Sequence, residues 1–144
     1  MSKIYQNILI AIDGSDASKK AFNKAITLAK QNDAHLTITH VIDSRAFSTP
    51  QAYDKVLIER EKEYVQEFMT DYLKEAKAAG LEKIDSLIEH GSPRVQIAKD
   101  IAKKVEADLI ICGATGLNAV ERFLIGSVSE SIVRYSPCDT LVVR

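Results

Sequence analysis

Residues 109–129 read LIICGATGLNAVERFLIGSVS. The run opens with Leu109-Ile110-Ile111-Cys112, apolar at successive positions, which suits a strand covered on both faces. It passes at once into Gly113-Ala114-Thr115-Gly116. Nine residues later Gly126-Ser127-Val128-Ser129 reads as the opening of a helix. Two glycines after a strand can form a nest of backbone N–H groups, and the first turn of a helix adds unsatisfied donors, with the Ser127 and Ser129 hydroxyls beside them. Such an end attracts anions, worth about 0.3–1 kcal/mol per exposed charge. The logic is that of a phosphate-binding loop, although the sequence has neither GxxxxGK[ST] nor GxGxxG.

Working outward, similar β-branched runs lie at Ile8 to Ile12, Leu36 to Ile42, Ile84 to Ile88 and Thr140 to Val143. Helical spacing fills the intervals. One apolar stripe is Ala21, Phe22, Ala25, Leu28 and Ala29; a second is Val65, Phe68, Tyr72, Ala76 and Ala79; a third is Ile97, Ala98, Ile101, Ala102 and Val105. In a short last helix Val128, Ile132 and Tyr135 are spaced to face the sheet. Ser15 or Asp16 can cap the first helix, and Ser92-Pro93 places a proline at the first helical position of the third. Gly80 ends the second helix and Pro137 stops the last. The order β-α-β-α-β-α-β-α-β predicts an α/β fold: one domain over residues 1–144, a mostly parallel five-stranded sheet sandwiched by helices. The irregular stretch is Ser44 to Tyr53, which reads as a loop.

Five of the six glycines, Gly14, Gly91, Gly113, Gly116 and Gly126, then fall at the carboxyl edge of that sheet, where open α/β folds bind ligands. For Gly14 and Gly91 a tight turn explains the residue equally well. Asp13 is a turn or cap residue by itself, but it stands opposite the glycine cluster, which favours a binding role.

At 144 residues, 46% of them hydrophobic, the chain can bury a core without disulfides or metals. Nineteen basic residues against twenty acidic give a net charge of -1, so the basic footprint of a nucleic-acid binder is missing. No apolar run approaches the roughly 18 residues of a spanning helix, and the start lacks a signal-peptide profile. A cytoplasmic domain with no membrane partner is expected. Cys112 reads as core and Cys138 as partly exposed; His35, His40 and His90 lack metal-ligand spacing and read as structural. Arg122 can reach a phosphate or lie on a solvated face. The run Glu59 to Glu63 is an exposed helical surface of mixed charge.

The spacing G-x2-G-x9-G-[ST] on the last strand–helix unit resembles the ATP-binding branch of the universal stress proteins. The resemblance covers the whole chain. Ile8 to Ser15 is similar to that family's opening strand and acidic turn, His40-Val41 to its second strand, Gly91-Ser92-Pro93 to its third loop, and Ser136-Pro137-Cys138 onward to its ending. It implies a Rossmann-like three-layer sandwich with sheet order 3-2-1-4-5 and an adenine nucleotide between the first and fourth strands. Asp13 would accept hydrogen bonds from the ribose, with Gly113 alongside. Ala11 and Ile12 would line the base pocket and Val41 would meet the adenine. Gly116, Gly126, Ser127, Val128 and Ser129 would hold the phosphates of ATP or another adenine nucleotide, bridged by Mg²⁺ or Mn²⁺ rather than by protein metal ligands. The resemblance further implies a homodimer through the edge strand 138–144.

Three other α/β readings fail at the same loops. A response regulator wants an acidic pair after the first strand and an aspartate ending the third. A flavodoxin puts its phosphate loop where Asp13-Gly14-Ser15-Asp16 is acidic, and an ATP pyrophosphatase needs a serine- and glycine-rich loop there. The leading expectation is a stress-response protein acting as a nucleotide-dependent switch or protectant. The alternatives are a slow ATPase or phosphotransferase, and a nucleotide-free dimeric interaction module. With no lysine in the phosphate loop and no clear base, hydrolysis is expected to be weak at most, and no catalytic residue is assigned.

Overall fold

Strand β1 (Asn7–Ala11) runs through the middle of the molecule, pairing with β2 (His35–Asp43) on one side and β4 (Leu109–Gly113) on the other. The computed structural model describes residues 4–43, 52–115 and 126–144. Within them the sheet order is β3-β2-β1-β4-β5, all pairs parallel, with β3 (Ile84–Gly91) and β5 (Asp139–Val143) at the two edges. Both the α/β class and the strand order agree with expectation.

Successive apolar residues in β1 serve opposite faces. Ile8 and Ile10 join Leu36 and Ile38 beneath α1 (Asp16–Asn32) and α2 (Ala52–Ala78), against Phe22, Ala25, Val65 and Met69. Leu9 and Ala11 join Ile110 and Cys112 on the other face. That face is covered by α5 (Ser127–Tyr135) and by a helical rod made of α3 (Pro93–Val95), a π-helical stretch (Gln96–Ile101) and α4 (Ala102–Lys104). The rod buries Ile97, Ala98, Ile101 and Ala102, four of the five residues of the stripe read from the sequence; Val105, just past its end, is partly buried against the same core. Its wide turn is a local difference, with the Ala102 N–H reaching Ile97 five residues back.

Ser15, not Asp16, is the cap of α1. Its Oγ accepts the Ser18 N–H at 3.2 Å, while Asp16 occupies the first turn. Two other expectations are corrected. β3 is covered only in part: Ile84 and Ile88 pack on one core and Leu87 on the other, but as an edge strand it leaves Asp85, Ser86 and His90 exposed. Tyr135 does not face the sheet. It is 53% exposed, and the Lys99 ammonium lies 4.8 Å from its ring centroid, so the ring leans on a cation and keeps its hydroxyl in water. Ile132 is the one apolar residue buried in that half of the helix. Of the expected loop from Ser44 to Tyr53, residues 44–51 lie outside the described residues, and Tyr53 already belongs to α2.

Candidate nucleotide site

At the carboxyl edge β1 gives way to Ile12 and Asp13 and then to a turn at Gly14, whose φ of +85° is a conformation other residues rarely adopt. The turn is held from several directions. Asp13 Oδ1 accepts the Ser15 N–H at 2.9 Å, and the Ser18 hydroxyl donates to the Ser15 carbonyl at 3.0 Å. The Ile12 N–H donates to the Thr39 carbonyl at 3.0 Å. His40 Nδ1 lies 2.8 Å from the Ile12 carbonyl. A carbonyl can only accept, so Nδ1 carries the proton and the ring is fixed by its tautomer. Asp13 therefore has the turn role that the sequence allowed, and a second carboxylate oxygen to spare.

On the other side of β1, Gly113 ends β4 directly beneath the start of α1. A Cβ there would lie 2.7 Å from the Ala17 carbonyl carbon and 2.9 Å from the Ser18 nitrogen. Glycine is required by this close helix–strand approach. Ala114 then donates its N–H to the Val143 carbonyl at 2.7 Å. Its own carbonyl accepts the Gly126 N–H at 2.7 Å and the Ser129 hydroxyl at 2.9 Å. The residues on either side of 116–125 are thus clasped together, with Gly116 and Arg122 outside the described residues.

Gly126 is the N-cap of α5 and offers no side-chain capping bond, so the N–H groups of the first turn are left for a ligand or water. One expectation is corrected here. The Ser129 hydroxyl is not poised as a ligand donor, because it is buried and its proton points to the Ala114 and Gly126 carbonyls, at 2.9 and 3.0 Å. What Ser129 presents is backbone. Ser127, by contrast, is exposed.

These parts border one open crevice of about 300 Å³, at the small end of ligand-site sizes. Asp13, Ser18 and His40 stand on its α1 side. Ala11, Ile12, Val41 and Gly113 form its floor, and Gly126, Ser127, Val128 and Ser129 its far wall. Of the ten residues singled out from the sequence, the structure brings together all but Gly116, which is not described. It adds Ser18, His40, Pro93, Ile97, Cys112 and Thr115. Thr115 sits inside the glycine motif and was findable; Pro93 and Ile97 read as ordinary helix residues, and His40 as structural. Gly91 lies outside the described lining.

Chemically the crevice offers an acceptor at one end, apolar walls between and backbone donors at the other. Burial pushes the Cys112 thiol up to about 12, with the Asp13 charge adding to it, so the sulfur stays protonated and is no nucleophile. Among the described residues no three His, Cys, Asp or Glu side chains cluster to hold a metal. A divalent ion fits this lining only by way of a ligand's own phosphates.

Residues 4–144 match the sequence profile of the universal stress protein family. The chain belongs to that family. A family protein of Staphylococcus epidermidis is 53% identical over 140 residues, covering 97% of this chain and 84% of that one. Among solved structures, the universal stress protein UspA from Lactobacillus plantarum superposes with a TM-score of 0.87 at 33% identity, covering 97% and 98% of the two chains. A universal stress protein crystallised in complex with cAMP superposes with a TM-score of 0.74 at 27% identity over 97% of each chain. This universal stress protein thus shares its whole architecture with relatives of which one is described with an adenine nucleotide bound. Among its described residues no helix is long and apolar enough to cross a membrane.

Proposed function

We propose that this universal stress protein binds an adenine nucleotide, ATP being the leading candidate, and acts as a cytoplasmic nucleotide-dependent switch or protectant rather than as an efficient enzyme. The observation that carries the reading is the convergence, in one crevice, of the Asp13 carboxylate, the apolar Ala11–Val41 floor and the uncapped start of α5. Asp13 accepts from the ribose hydroxyls beside Gly113. Ala11, Ile12 and Val41 enclose the base. The backbone donors of Gly126, Ser127, Val128 and Ser129, with Gly116, hold the phosphates. Mg²⁺ or Mn²⁺ would enter with the nucleotide, on phosphate oxygens, and neutralise their charge. The described lining contains no lysine or arginine to stabilise a transferring phosphoryl group, so turnover is slow.

Denaturing freshly purified protein and chromatographing the supernatant tests this directly. Adenine nucleotide near one per chain is expected from the parent and none from Gly126→Val, whose branched side chain would block the approach to the start of α5. If the parent releases none and also fails to bind ATP with Mg²⁺ on titration, the reading falls and a nucleotide-free interaction module takes its place.

The reading extends to assembly. β5 is an edge strand with one hydrogen-bonding side unused by its own sheet, and Leu141, Val142 and Val143 are only partly covered. Such an edge invites pairing, and we propose a homodimer across it. Light scattering behind size exclusion should give twice the chain mass. A mass of one chain at all micromolar concentrations would rule the dimer out.

A further inference from the structure

The outer side of the crevice wall carries a second concavity that the nucleotide reading does not use. It lies between the Pro93–Lys104 rod and α5, encloses about 380 Å³, and is lined by Ser92, Arg94, Val95, Lys99, Ser131 and Tyr135. Alternate residues of the same helices divide between the two cavities: Pro93 and Ser129 face the crevice, Ser92, Arg94 and Ser131 the pocket.

Three features of this pocket are unbalanced. Arg94 and Lys99 bring two positive charges, and no carboxylate is among the described lining residues. Among the described residues neither cation forms an ion pair; Lys99 only leans on the Tyr135 ring, and nearby Glu130 is engaged with Arg134 at 3.1 Å. Ser131 is only 8% exposed, yet its hydroxyl makes no hydrogen bond with any described residue. That hydroxyl is not sealed in, so its opening is to the pocket. Ser92 stands at the N-cap of α3 without making the side-chain capping bond usual there. Both hydroxyls are therefore free to donate to water or to a ligand that enters the pocket.

We propose that this pocket is a second anion site, taking the phosphoryl group of a small phosphomonoester or free phosphate. The guanidinium of Arg94 can present two parallel donors to phosphate oxygens, Lys99 supplies a point charge, and the Ser92 and Ser131 hydroxyls complete the set of donors. The exposed apolar side of Val95 and the Tyr135 ring leave room for a short organic portion beside the phosphate. The proposal does not depend on nucleotide in the crevice.

Amide NMR of the full chain, titrated with inorganic phosphate at constant ionic strength, tests it site by site. Saturable shifts are expected at Ser92, Arg94, Lys99, Ser131 and Tyr135, with affinity reduced roughly tenfold in Arg94→Gln and again in Arg94→Gln/Lys99→Gln. Ser131→Ala, too small a change to unsettle the helix, should weaken binding more modestly. Amides at Gly126, Ser127 and Val128 report phosphate entering the crevice separately, so the two sites cannot be confused. Glycerol phosphate binding more tightly than inorganic phosphate would identify a phosphomonoester as the source, and equal affinity would identify the free ion. Identical shifts with chloride, or shifts unaltered in the double variant, would overturn the proposal.

Discussion

Gly113→Ala is expected to destabilise the fold by about 1–3 kcal/mol and to disturb the crevice at the same time. The added carbon would stand 2.7 Å from one backbone atom of α1 and 2.9 Å from another. Side chains can rotate away from such an intrusion; the Ala17 carbonyl carbon and the Ser18 nitrogen cannot. Relief requires the start of α1 to lift from β4, and that end of the helix carries the Ser15–Ser18 bonds that hold the Asp13 turn. Urea denaturation should therefore show a lower midpoint with an unchanged slope. A variant within 0.5 kcal/mol of the parent would mean that α1 yields freely.

The second large effect belongs to Asp13. Exchange for alanine removes the proposed ribose acceptor and also the oxygen that receives the Ser15 N–H at 2.9 Å, so binding and folding would change together. Asp13→Asn separates them. Its amide oxygen can still take the Ser15 bond, while the charge and one acceptor are gone. Stability should hold, and affinity for ATP by calorimetry should drop roughly tenfold to a hundredfold, as expected for one hydrogen bond to a charged group at about 1.5–3 kcal/mol. The parent should also discriminate against 2′-deoxy-ATP, and Asp13→Asn should discriminate less. Equal losses of affinity for both nucleotides would place Asp13 away from the ribose.

Much of this architecture could be read from residues alone because its strands announce themselves. Leu109 to Cys112 and Ile8 to Ile12 are apolar without alternation, and only strands covered by helices on both sides are built so. The alternation of strand and helix left the order of strands open; the order came from resemblance. The third strand was harder: Ile84, Leu87 and Ile88 do pack against the core, but only partly, because the strand has a single neighbour. The widened turn at Gln96–Ile101 was invisible because the same four inward residues serve an α-helix equally well. Tyr135 misled for a related reason: angular spacing says which way a side chain could point, whereas a nearby lysine decided where the ring rests.

At the candidate site, Asp13 and the Gly126–Ser129 turn were legible because acidic and glycine residues immediately after strands have few other employments. His40, Pro93 and Ile97 were not, being commonplace for a strand end and a helix start. The Ser129 hydroxyl was misjudged because its receiving carbonyls, Ala114 and Gly126, become neighbours only once the residues flanking 116–125 are clasped.

The central position of β1 has a consequence for how the chain is made. Its first partner, β2, follows after a single helix and begins at His35, but its second, β4, begins at Leu109. On a ribosome adding about 5–20 residues per second, Ile8, Leu9 and Ile10 wait roughly 5–20 s before their other edge can be closed. During that interval a nascent chain carries a half-built sheet whose most apolar strand is an open border. An unpaired apolar edge of this kind is open to aggregation, and conditions that slow translation would prolong that exposure.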